Sequence, residues 1–153
     1  MRLLTFVVLI APAFAADPAG FGLWRASELQ QRDKSLATRV GADHSARETL
    51  GDYKDHRLRM LFREGQGSPE QHDKIVDVWL VQSGEGTLIV GGTMLNPKGS
   101  AATGEYLGIS IEGGERHEVA AGDVIHIPAK IPHGVIVAPG KHFTYIVVKF
   151  PAQ

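Results

Sequence analysis

The sequence predicts an all-β sandwich or barrel preceded by one short helix, and three observations carry that reading. From about residue 56 to the C-terminus, glycine-centred turns recur between short apolar runs, as in Gly65-Gln66-Gly67-Ser68-Pro69, Ser83-Gly84-Glu85-Gly86, Gly91-Gly92, Glu112-Gly113-Gly114 and Ala121-Gly122-Asp123. Between the turns, side chains alternate with the period of two that marks a pleated strand. Nothing in this half alternates with helical segments, as the crossovers of a parallel sheet would require.

In chain order, Arg2 is followed by an apolar run from Leu3 to Ile10 and then by Ala13-Phe14-Ala15. This pattern predicts a secretory signal peptide over residues 1–15, cleaved after Ala15, because the apolar run is too short to span a bilayer and small side chains stand where signal peptidase needs them. There is no twin arginine, and without cysteine there is no lipoprotein anchor. The expected mature chain is exported, periplasmic or secreted, and free of the membrane. Its length of roughly 140 residues suits one domain with one core.

The helix is expected from Ser27 to Val40. Leu29, Leu36, Ala37 and Val40 recur there at helical spacing, with Ser27 as N-cap and Gly41 as stop. With a lead-in strand around Arg47 to Leu50 it makes up an N-terminal part, residues 16–55, ahead of the barrel at 56–153. Leu58, Met60 and Phe62 alternate with Arg57, Arg59, Leu61 and Arg63, a half-buried strand by period. Asn96 to Gly104 is loop-like and Tyr106 to Ile111 reads as one strand. Phe143 to Phe150 is an apolar final strand that either closes the barrel or enters a dimer interface.

Composition narrows the chemistry. The net charge is −1 with both signs interspersed and no basic run, which argues against nucleic acid and leaves small molecules as partners. With no cysteine there is neither a disulfide framework nor a thiolate site, so any metal is held by nitrogen and oxygen.

Two stretches carry those donors. In the first, Gly122-Asp123 suits a tight turn, Val124, Ile125 and Ile127 favour a strand, Pro128 ends the pairing, and Pro132 fixes the backbone before His133. In the second, Glu70 and His72 stand two apart and so share one face of a strand, while Asp77 lies in the apolar run Val76 to Val81. A carboxylate there needs a cation or strong hydrogen bonds beside it. Glu70 follows a loop and reads either as a ligand or as a solvated charge. His126 alternates with Ile125 and Ile127 and either lines the same cavity or faces out. His44, His56, His117 and His142 read as surface or structural residues. Imidazole suits zinc, copper, iron or nickel, and the carboxylates favour harder ions such as manganese.

Gly122, Pro128 and His133, separated by five and four residues, resemble the second motif of the cupin superfamily. Lys130 stands where that family usually has glycine, and Val137 where it has asparagine. Residues 70 to 86 resemble the first motif, with His72 at the second histidine, Asp77 at the glutamate, Gly84 at the glycine and Glu70 in place of the first histidine. The resemblance implies a double-stranded β-helix, or jelly-roll barrel, of a kind in which homodimers are common. It also implies a set of His72, Asp77, His133 and Glu70 around one divalent ion, Mn, Fe, Ni, Cu or Zn. The implied function is an exported metal-binding cupin that binds or transforms a small polar molecule. The alternative is a binding module without a functional metal.

Overall fold

The computed structural model describes residues 16–153, so the predicted leader over residues 1–15 lies outside the described residues. The elements run in the order α1 (Ala26–Ala37), β1 (Ser45–Asp52), β2 (Arg57–Arg63), β3 (Glu70–His72), β4 (Ile75–Val90), β5 (Thr93–Leu95), β6 (Lys98–Ser100), β7 (Glu105–Leu107), β8 (Ser110–Glu112), β9 (Glu115–Ala120), β10 (Val124–Ile127), β11 (His133–Ile136) and β12 (Phe143–Pro151). Ten strands form one curled antiparallel sheet in the order β1-β2-β12-β4-β11-β3-β7-β6, with β9 and β10 also paired to β4, and β5 and β8 make a separate pair. No helix among the described residues is long and apolar enough to cross a membrane.

The long strand β4 organises the sheet. Its first part pairs with β12 and β10, and its last six residues pair with β9 and β11. The change of partners falls at Ser83–Gly86, which sequence signals mark as a turn and which the structure shows to be a bend inside one strand. Gly84 is the residue that permits it. Its φ is +74°, and a Cβ there would stand 1.9 Å from the carbonyl oxygen of His142. A register shift in the β12 pairing beside it adds the local twist that closes a barrel corner.

Two apolar clusters result. Inside the barrel, Leu61, Trp79, Val81, Leu88, Ile127 and Phe143 pack with their neighbours around Tyr145 and Val147. Val137, at the family's asparagine position, belongs to this core. Outside, Leu36 packs on Ala46, Met60 and Phe62 and so docks α1 on the outer face of β1 and β2. Asp33 fixes the helix in place by accepting hydrogen bonds from Ser83 Oγ at 2.6 Å and Thr144 Oγ1 at 2.7 Å. The clusters explain why β2 is buried on both faces over Met60–Arg63 rather than half-buried. Each full burial of a side chain such as Met60 or Phe143 is worth about 1.5–3 kcal/mol.

Other expectations need correction. The helix begins at Ala26 with Arg25 at the cap, so Ser27 lies inside the first turn. It ends at Ala37, which is exposed, and the Thr38 hydroxyl donates to the Ser35 carbonyl at 2.8 Å, a local bond that competes with helix continuation. Tyr106–Ile111 is broken into β7 and β8 at Gly108, where a Cβ would lie 2.2 Å from Met94 Cγ. The chain there leaves the main sheet to pair with β5. The loop after Asn96 contains the short strand β6.

Candidate metal centre

The barrel interior is apolar at one end and polar at the other. The polar end is assembled from cross-strand neighbours, which sit closely enough on one face for their side chains to interact. Glu70 on β3 is paired with His133 on β11, His72 on β3 with Glu105 on β7, and Asp77 on β4 with Lys149 on β12. The Pro128 to Pro132 bend delivers His133 to its place. Lys130 there adopts φ +68°, the left-handed conformation that suits glycine, and donates its N–H to the carbonyl of His72 at 2.7 Å, tying the two motif segments together.

Glu70, His72 and His133 each direct one donor atom into a common space, all within 4.8 Å of one another. The histidines are held by their outer nitrogens. His133 Nδ1–H donates to the Ile131 carbonyl at 2.9 Å, and we assign His72 Nδ1–H as donor to Glu105 Oε2 at 2.6 Å. Both Nε2 lone pairs therefore face inward. His133 is 3% exposed, and its buried Nε2 has no hydrogen-bond partner among the described residues. An orphaned acceptor aimed at two further donors fits a metal ion. Trp79 packs edge-on against the His133 ring at 5.7 Å and stacks on Tyr145 at 4.4 Å, forming the floor.

Asp77 lies 3.8 Å from Nε2 of both histidines but serves another partner. Its oxygens accept two hydrogen bonds from the Lys149 ammonium at 2.9 and 2.8 Å, and Oδ2 a third from Trp79 Nε1 at 3.2 Å. The cation that a buried carboxylate requires is thus a lysine of the same chain. Lys149 Nζ also lies 2.7 Å from His72 Nε2 and donates to it. Of the four sequence-predicted donors, three share a space and the fourth is paired with Lys149 beside it. His126 is exposed on the outer face and takes no part in the cavity. His142 stacks on Phe62, and His56 stacks on Tyr53 at the cavity rim.

The electrostatics follow from this packing. Burial pushes the Glu70 carboxyl up, but the His72 ring 3.3 Å away and the charges of Lys149 and His133 outweigh it and hold the group at about 2. Burial and the Lys149 charge pull His72 down, and the approach of the Glu70 carboxylate to 3.3 Å together with the Asp77 charge leaves it above its ordinary value. Burial keeps His133 below its ordinary value, which favours a neutral ligand. Arg63, buried on β2, reaches Tyr145 Oη at 3.4 Å and Glu70 at 3.9 Å.

Glu70, His72 and Lys149 open onto a cavity of about 700 Å³ whose rim includes Tyr53, Arg57, Arg59 and Tyr106. Lys149 and Glu105 escape sequence reasoning. Lys149 leaves a signal, because it follows Phe143, Tyr145 and Val147 on the inward parity of β12 where an apolar residue is expected. Glu105 leaves none, since its contact depends on the register of β3 with β7.

No protein-family model matches the chain, and no curated protein sequence does. Solved structures do match. The polyketide cyclase RemF from Streptomyces resistomycificus superposes with a TM-score of 0.50 at 22% identity, over 74% of this chain and 68% of that one. KdgF from Halomonas sp. gives 0.50 at 15% identity, over 72% and 82%. A predicted oxalate decarboxylase from Thermotoga maritima gives 0.52 at 12% identity, over 71% and 81%. Likeness at these identities establishes architecture, and together with the curled antiparallel sheet it shows that the chain has the cupin fold.

Proposed function

We propose that the protein is an exported cupin that binds one divalent ion through Glu70, His72 and His133 and, beside it, binds or transforms a small polar molecule. The observation that carries this reading is the buried, partnerless Nε2 of His133 facing the donors of Glu70 and His72. Two imidazoles and one carboxylate leave coordination positions open and suit iron, manganese or zinc, as well as nickel or copper. When bound, such an ion polarises a ligand oxygen. The chain's own residues set the rest. Ile131 and Glu105 fix the ring orientations, the Trp79 floor excludes water, and the open cavity admits a ligand to the Glu70 and Lys149 side. Arg59 lines that cavity and has no ion-pair partner among the described residues, which favours a ligand bearing acceptor or anionic groups. Export rests on the Leu3–Ile10 run and the small residues Ala13 and Ala15. A homodimer is part of the same proposal, tested by light scattering.

The test is elemental analysis of protein recovered from the exported fraction, beside a His72→Ala, His133→Ala double variant, with mass spectrometry of the N-terminus. Near-stoichiometric metal in the parent alone, on a chain starting at Ala16, supports the proposal. Absence of metal from both after reconstitution with manganese, iron, nickel, copper and zinc would overturn it. A second reading, a binding module that needs no metal, is favoured by one observation: the Lys149 ammonium already satisfies Asp77 and His72. Ligand retention by metal-free protein distinguishes it.

A further inference from the structure

We infer that Lys149 is a resident cation that competes with the metal ion, so that the site alternates between an ammonium-filled and a metal-filled state. The inference rests on the metal reading above and concerns what the chain places against it. All three ammonium protons have inward partners: two go to the Asp77 oxygens at 2.9 and 2.8 Å, and the third to His72 Nε2 at 2.7 Å. The His72 lone pair that would ligate the ion is therefore the one the ammonium uses. A nitrogen lone pair cannot serve both, and two cations cannot share one small buried space without repulsion.

The arrangement is built in rather than incidental. Lys149 and Asp77 are paired in register across β12 and β4, and Asp77 is 2% exposed whereas the Lys149 side chain is 22% exposed. The carboxylate is fixed and the ammonium has room to move, because Lys149 lines the 700 Å³ cavity as well as the inner space. On metal entry Lys149 gives up His72, keeps Asp77 and directs its free N–H toward the cavity. It thus holds the metal-free barrel together, reserves Asp77 from coordination and presents a donor next to the ion.

Competition makes a definite prediction about affinity. Lys149→Met removes the competitor and frees Asp77 as a fourth ligand. Co(II) and Zn(II) then bind at least tenfold more tightly than in the parent, and the visible absorption of the Co(II) form shifts as a carboxylate joins the ligand field. An Asp77→Asn, Lys149→Met double variant removes both charges and guards against a single variant that fails to fold. It binds more tightly than the parent and less tightly than Lys149→Met. Asp77→Asn alone, which leaves the ammonium on His72, binds no more tightly than the parent. Isothermal titration gives the affinities and circular dichroism the folded state.

Folded Lys149→Met, or the double variant if the single one does not fold, binding no more tightly than a metal-binding parent would overturn the competition and leave the three-donor site standing. Metal binding by the variants but not by the parent would also overturn it, because the parent's site would then hold the ammonium alone and not alternate. Failure of parent and variants alike to bind metal removes the metal reading and this inference together.

Discussion

The Asp77–Lys149 pair predicts an asymmetry in stability that can be measured without any metal. Asp77 is 2% exposed and held by Lys149 and Trp79, whereas Lys149 is 22% exposed and borders open cavity. Removing one member of a buried ion pair costs about 3–5 kcal/mol, mostly because the surviving charge is left uncompensated. Lys149→Met strands the deeper charge with a single indole N–H, so we place its cost at the lower end of that range, about 3 kcal/mol. Asp77→Asn leaves the shallower one, which keeps its bond to His72 Nε2 and borders the open cavity, and should cost about 1–2 kcal/mol. The double variant replaces both charges and should recover most of the Lys149→Met loss, because the mutual attraction only offsets desolvation. Urea unfolding in the presence of a chelator provides the assay, with the midpoint shift read at constant slope. Equal losses in the two single variants, or a Lys149→Met loss under about 1 kcal/mol, would refute the claim that burial depth decides which charge is costly to strand.

The remaining predictions concern other parts of the molecule. Glu70 has its carboxyl lowered from 4.5 to about 2 in the folded protein, so its contribution to stability is fully present above pH 4.5 and is lost as pH falls toward about 2. The difference converts to about 3 kcal/mol, reduced to about 2 by the partial exposure of the side chain. Acid unfolding of metal-free Glu70→Gln should accordingly show a flatter slope across that window, and an unchanged slope would count against the assignment. Leu36→Ala empties the fully buried seat of α1 and should cost about 3 kcal/mol by urea unfolding. Its metal affinity should stay within about twofold of the parent, since α1 packs on the outer face, away from the donors. Lys130→Gly relieves a left-handed non-glycine residue while keeping the N–H that bonds His72, and should raise stability by about 0.5–1 kcal/mol, seen as a higher melting temperature.

What could be read in advance divides along the line between local and cross-strand information. His133 was legible because Gly122, Pro128 and Pro132 write its backbone into the sequence, and His72 because its spacing to Asp77 and Gly84 is a pattern within one segment. The strands β2 and β12 follow from alternation, and β10 from the strand preference of Val124, Ile125 and Ile127 between a turn and Pro128. The bend at Ser83–Gly86 was misread because glycine gives the same signal for a hairpin and for a barrel corner. Only the pairing of β4 with two different sets of strands tells them apart. The helix end was misplaced because Thr38 closes it through a side-chain bond whose effect periodicity does not register. Asp77 was expected to need a cation or strong hydrogen bonds and was placed among the metal ligands, whereas the partner in the structure is an ammonium 72 residues away that the sequence does not point to.

That separation explains the character of the site. Its three pairings, Glu70 with His133, His72 with Glu105 and Asp77 with Lys149, are each fixed by the register of two strands distant in sequence. A one-residue slip of β12 against β4 would turn Lys149 outward with the rest of its face and leave Asp77 unpaired in the core. The same slip would carry Phe143, Tyr145 and Val147 out of the barrel, so the apolar packing enforces the register on which the polar chemistry depends. The hydrophobic core and the candidate centre are therefore specified by one structural decision. Substitutions that loosen the packing of β12 should disturb the centre before they unfold the barrel, because Asp77 and Lys149 require alignment within hydrogen-bond distance while apolar contacts tolerate small shifts.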